Sequence, residues 1–183
     1  NLPHHITNDE ILVTYDVTSL YSNIDHNLAI EAISYWTDQF PNNIHQRFSK
    51  EFIIEGIKII LGNNSFNFDN KVYLQILGCA MGSKFSPNLA ILVMAYLELD
   101  LYNKIEQQYG TNIRQEIETR YKRYLDDVFL ILNTNHIREN DFKELLNSLH
   151  EKINFTGEFS SESIPFLDIK ILIKDNKIET DLY

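Results

Sequence analysis

Tyr121-Lys122-Arg123-Tyr124-Leu125-Asp126-Asp127-Val128-Phe129-Leu130-Ile131-Leu132 sets two adjacent carboxylates between an aromatic-rich run and a wholly apolar one. The flanks are rich in aromatic and β-branched residues, so they read as two short strands joined by a tight turn. Apolar residues on both sides anchor that turn in a packed sheet. Two carboxylates held together repel each other and want a counter-charge: a divalent metal, a basic partner, or water. For an isolated Asp-Asp pair, exposure to water at a hairpin tip is the ordinary outcome. The rest of the chain has to decide.

The 183 residues are enough for a continuous core, and 44% hydrophobic with 23% charged residues is the balance of a globular domain. No apolar run reaches the roughly 20 residues that span a bilayer, and no signal peptide is visible, so no membrane partner is expected. Cys79 has no second cysteine to pair with, which fits a reducing, intracellular compartment. The net charge of −10 counts against a free-standing nucleic-acid binder, because phosphate contacts call for a basic face. The chain opens on Asn1 without a methionine and stops at Tyr183 inside an apparent strand. It reads as a piece of something longer.

Ile11 to Val17 is a short apolar run that delivers Asp16 at the end of a buried strand. Thr18 to Ile24 follows as a turn. Asp25 or Asn27 caps a helix carrying Leu28, Ala32, Ile33 and Trp36, which Pro41 ends. A second helix is expected over 49–61, a hairpin over 63–77 turning at Asp69-Asn70, and a small-residue loop over 78–83. A long helix over 86–107 has Pro87 in its first turn, where a missing N–H costs little. Strands are expected over Ile113–Tyr124 and Val128–Leu132, a helix over 139–150, and strands near 153–159, 166–173 and 177–183. Helices on one face of a mixed, mostly antiparallel sheet make an α+β domain.

Asp16 lies far from Asp126 and Asp127 in sequence, yet a hairpin set beside the first strand brings all three carboxylates together. Such a cluster suits two Mg²⁺ ions, with Mn²⁺ as a substitute, and hence phosphoryl or nucleotidyl transfer. Taken singly, each part has a plainer reading. Asp16 also serves as an edge-of-strand cap, Tyr21 as core, Gly78 and Gly82 as turn glycines, and Phe166 and Leu167 as buried sheet residues.

The order strand-Asp, Gly-Ser…Ser-Pro opening a helix, then Tyr-x-Asp-Asp resembles the palm of reverse transcriptases, most closely the Penelope-like retroelement branch. The resemblance covers nearly the whole chain. It implies a polymerase palm over 1–183 with partial fingers at about 26–77, the thumb and most of the N-terminal fingers being absent. In the family's first motif, similar to Asp16-Val17-Thr18-Ser19-Leu20-Tyr21, the acid and the next residue's carbonyl bind metal. The residues after them meet the nucleotide, and an aromatic at Tyr21's place excludes a 2′-hydroxyl. Gln75-x-x-Gly78-x-x-Met81-Gly82-Ser83-Lys84-x-Ser86-Pro87 is similar to the second motif. It implies nucleotide contacts at Met81, Gly82 and Lys84 and template or primer contacts at Gln75, Ser83, Ser86 and Pro87. Tyr124-Leu125-Asp126-Asp127 is the third, and Ile164 to Ile169 resembles the closing primer-grip hairpin, with Phe166 and Leu167 on the primer.

Arg123 and Tyr124 are expected near template or primer. Lys84 departs from the proline common in relatives, and Lys152 is the nearest candidate to protonate pyrophosphate. The implied activity is RNA-directed DNA synthesis on an RNA template and DNA primer from deoxynucleoside triphosphates, with a nuclear location for the parent element. Two alternatives stand beside it. One is a non-catalytic palm-like binding or assembly module; the other is a different palm polymerase, telomerase-like or RNA-dependent. Self-association of the truncated chain is a further expectation.

Overall fold

The computed structural model describes residues 5–182, which fall into two units, one of residues 5–18 with 98–182 and the other of residues 19–97. In the first unit, β1 (Glu10–Val17) is the centre of a four-stranded sheet. It is flanked by β5 (Asp127–Asn133) and β6 (Phe155–Ser160), with β4 (Lys122–Tyr124) beyond β5. A second sheet is the meander β7 (Ser163–Phe166), β8 (Ile169–Lys174) and β9 (Lys177–Leu182). Every pairing among the described strands is antiparallel.

Alternation gives the central sheet two unlike faces. Val13, Tyr15, Val17, Val128, Leu130, Leu132 and Phe155 are buried and point one way. That face carries the helices: α5 (Thr111–Arg120) packs on β5 and α6 (Glu139–Asn147) on β6. Tyr15 stacks on Phe142 of α6 with ring centroids 6.1 Å apart. On the other face, Leu12, Phe129 and Ile131 form a core with Ile164 and Ile171 of the meander. The meander covers only that end, so the end bearing Thr14, Asp16 and Asp127 stays open.

Gly157, opposite Tyr15, is required by this packing. A Cβ there would lie 2.0 Å from the Thr14 carbonyl oxygen and 2.5 Å from the Tyr15 ring.

The second unit holds α1 (Leu20–Asn23), α2 (His26–Gln39), a 3-10 turn at Pro41–Asn43, α3 (Lys50–Gly62) and the hairpin of β2 (Ser65–Phe68) and β3 (Lys71–Leu74). Asp25 caps α2, accepting from the Asn27 and Leu28 amides, and Ser49 caps α3. Helix α4 (Ser86–Tyr109) starts in this unit and ends in the first.

Four expectations are corrected. Residues 113–120 are helix, not strand. Gly110 at φ +90° ends α4 and opens α5, whose Arg114–Glu118 and Glu116–Arg120 pairs hold successive turns. Only Lys122–Tyr124 of that segment is strand. The strand expected over 166–173 is broken at Leu167-Asp168, the two-residue turn between β7 and β8. Gln75 and Ile76 lie past the end of β3, and α6 ends at Asn147 rather than at residue 150.

Candidate active site

Asp16 and Asp127 are direct cross-strand partners on β1 and β5, so both side chains rise from the open face. Asp126 sits in the two-residue turn joining β4 to β5, and its carbonyl accepts the Val17 amide at 3.3 Å. That bond ties the end of β1 to the turn. Leu125, the first turn residue, has φ +53°. A hairpin of this kind wants glycine at that place; a leucine held there costs about 1–2 kcal/mol. The surrounding ladder imposes it.

Burial first, and then the charge of Asp126, holds the Asp16 carboxyl above the ordinary carboxylate value. Burial also raises Asp127, followed by the charges of Asp126 and Asp16. None of the three has a basic partner among the described residues. Glu10, on the same strand, makes the contrast. Burial works against its ionisation too, yet the Thr7 amide and the Arg120 guanidinium outweigh it and lower its pKa. One acid of β1 is neutralised by the fold; the other is left for something else.

Asp16 and Asp127 line an open cleft of about 390 Å³, whose other walls come from Thr14, Thr156, Glu158 and the β7–β8 turn with Phe166 and Leu167. Phe166 is seated by Phe129, ring centroids 5.5 Å apart. Leu167 has φ +53°, repeating the Leu125 turn. The cleft therefore joins two of the three expected metal-binding acids, Asp16 and Asp127, to the expected primer-grip residues. Thr14, Thr156 and Glu158 were not singled out from sequence, although Thr14 lies two residues from Asp16 on an alternating strand and so shares its face.

Other expected residues have structural tasks. Arg123 points to the helical face, where its Nε lies 2.5 Å from Glu98 Oε1 and its Nη2 lies 3.2 Å from Oε2, and it also donates to the Leu125 carbonyl. It fixes the turn from behind instead of facing a phosphate. Tyr124, by register, shares the Asp127 face and is exposed. The Val17 side chain is buried, and so is Leu20, which leaves Leu20 only backbone to offer a nucleotide.

In the second unit, the loop after β3 docks on the α1 turn. The Gly78 amide donates to the Ile24 carbonyl and the Cys79 amide to the Tyr21 carbonyl at 2.7 Å, while His26 Nε2 reaches the Gly78 carbonyl at 2.9 Å. A Cβ on Gly78 would meet the Tyr21 carbonyl oxygen at 2.5 Å. Half-buried Tyr21 is thereby fixed through its backbone. Ser19 takes a left-handed φ of 51° at the start of α1, and Thr18 donates its amide to the Asn154 carbonyl. Ser86 is buried and donates its hydroxyl to the Ala80 carbonyl, so it shapes the loop rather than reaching for template. Met81, Gly82, Lys84 and Pro87 are exposed, and Ser83 and Gln75 are half-buried. Gln75 Nε2 donates to the Leu77 carbonyl.

The sequence model of the family described as reverse transcriptase (RNA-dependent DNA polymerase) matches residues 2–157. The chain belongs to the reverse transcriptase family. The reverse-transcriptase fold is seen again in three solved telomerase structures from two Candida species. A Candida tropicalis telomerase truncated from its C-terminal domain aligns at TM-score 0.69 and 16% identity, over 94% of this chain and 35% of that one. The apo Candida tropicalis enzyme gives 0.67 and 14%, over 99% and 32%. The Candida albicans telomerase, solved with a TWJ fragment of telomeric RNA, gives 0.70 and 11%, over 94% and 30%. The chain thus spans about a third of the length of these structures. No curated protein matches it. No helix among the described residues is long and apolar enough to cross a membrane.

Oxygen donors of this kind fit magnesium. Among the described residues, no three His, Cys, Asp or Glu side chains close on a common point, so the expected convergence of all three carboxylates is corrected to the Asp16–Asp127 pair with Asp126 in the adjoining turn. Magnesium does not ask for such a cage: it keeps several waters and takes one or two carboxylates together with substrate phosphates.

Proposed function

We propose that this chain is the catalytic palm, with part of the fingers, of an RNA-directed DNA polymerase of a Penelope-like retroelement, acting in its host's nucleus. The observation that carries the reading is the cross-strand pair Asp16–Asp127 with Asp126 at the adjoining turn, three acids without a basic partner among the described residues, the pair lining an open cleft. Asp16, Asp126, Asp127 and the Val17 carbonyl would hold magnesium, which supplies activation of the primer 3′-hydroxyl and charge neutralisation at the triphosphate. The protein's part is positioning. The Val17–Asp126 backbone bond holds the two acid-bearing segments together, and Phe166 and Leu167 place the primer end across the cleft from them. Met81, Gly82 and Lys84, exposed on the loop, receive the nucleotide; Gly82 at φ +87° has open space where a Cβ would project, which admits a phosphate or base against its backbone. The Tyr21 ring serves as the barrier to a 2′-hydroxyl.

Primer extension on an RNA template tests this in the full-length parent protein. Asp126→Asn is expected to reduce incorporation by several orders of magnitude without lowering the melting temperature, and Tyr21→Ala to raise ribonucleotide incorporation. Extension at parental rate by Asp126→Asn sinks the assignment.

A further inference from the structure

We infer that the aromatic face of the β2–β3 hairpin is a stacking platform for unpaired bases of a single-stranded RNA, which in the polymerase reading is the template ahead of the copied base. Every residue of both strands is exposed. Among the described residues no third strand pairs with this hairpin, and a two-stranded hairpin is marginal by itself.

Its two faces differ. Register puts Phe66 opposite Tyr73 and Phe68 opposite Lys71, all on one face. The Phe66 and Tyr73 rings are stacked, centroids 5.6 Å apart and 19° from parallel, and Phe68 leans on Tyr73 at 6.5 Å. Val72 and Leu74 project from the other face beside Ser65 and Asn67. Three aromatics with a lysine among them is the chemistry of base stacking and phosphate attraction; aliphatics alone are the chemistry of protein packing.

Charge supports the same occupant. The unit of residues 19–97 carries five Lys and Arg against six Asp and Glu, whereas the whole chain carries 16 against 26. Over residues 56–97 the only charged side chains are Lys58, Lys71, Lys84 and Asp69. A polyanion repelled by the acidic remainder of the chain meets net positive charge here. The Phe66–Tyr73 stack leaves outer ring faces on which any base can pack, so the contact is expected to be tolerant of sequence.

The test is fluorescence anisotropy of a labelled, unstructured 12-nucleotide RNA titrated with the 183-residue chain at low salt, without magnesium or nucleotide. Binding is then read independently of catalysis, and loss of the polymerase assignment leaves the result standing. Tyr73→Ala and Phe66→Ala are each expected to weaken binding by about 5- to 150-fold, the range for losing one stacked base. Tyr73→Trp should restore it, and Val72→Ser should leave it unchanged. Melting temperature and light scattering are recorded on every variant. The proposal is overturned by RNA binding that ignores Phe66 and Tyr73. It is overturned equally by no RNA binding at all, or by aromatic variants that change only the chain's oligomeric state, which would make this face a self-association surface.

Discussion

The Asp127 carboxyl sits where the fold would rather have a neutral group. Burial comes first, and the charges of Asp126 and Asp16 add to it, all favouring the protonated form. Between the ordinary value of 3.8 and the raised one, the folded chain binds more protons than the unfolded chain, so stability falls as pH rises through that window. Above it the penalty is constant. Asp127→Asn removes the penalty and is expected to melt about 1–3 °C above the parent at pH 7, the difference shrinking as pH is lowered toward 4. Melting curves from pH 4 to 8 check this; an Asn variant no more stable at neutral pH would mean the acids do not burden the fold. Asp16 follows the same sign. The acid pair itself was plain in the sequence, but its neighbours were not all legible. Arg123, next to the motif, read as a phosphate contact because adjacency was the only clue. Alternation along β4 turns it to the opposite face, toward Glu98, and pairing partners 25 residues away leave no local trace.

At the scale of elements, what was legible followed backbone chemistry. Asp25 before an apolar period of 3.6 is a cap, and Asp69-Asn70 between two short aromatic runs is a turn with both residues at positive φ. The β7–β8 break leaves no turn signal in the sequence, because Phe166-Leu167-Asp168-Ile169 lacks glycine, asparagine and a usefully placed proline. The chain contains its own precedent: Tyr124-Leu125-Asp126-Asp127 turns in the same way, aromatic then left-handed leucine then aspartate. Helix α5 departs from the expected strand for a different reason. Ile113 and Ile117 fit an alternating strand as well as a helix, and the deciding signals were charge pairs four apart and Gly110. The element on which the cleft depends most is β6, which must come close enough to β1 for Gly157 to lie under Tyr15. Gly157→Ala is expected to cost about 3 kcal/mol or more, because the clash is with backbone and an anchored ring that cannot swing aside. Urea unfolding measures it, and a loss below about 1 kcal/mol would show that the β1–β6 spacing is soft.

At the scale of the molecule, the puzzle set by a net charge of −10 becomes a matter of distribution. The unit bearing the three site acids holds 20 of the 26 Asp and Glu residues and only 11 of the 16 Lys and Arg. Its self-repulsion predicts that any salt raises the melting temperature by screening. A specific divalent site has to be seen above that background. At fixed ionic strength, 10 mM Mg²⁺ acting on a site of about 1 mM affinity contributes about 1.4 kcal/mol, a rise of roughly 3–5 °C for a chain of this size. Asp16→Ala should abolish that rise while leaving the response to sodium chloride in place, since one charge among so many hardly alters screening. If Asp16→Ala and the parent respond equally to magnesium, the ion is only screening. The open end of the sheet would then be an acidic surface and not a metal centre.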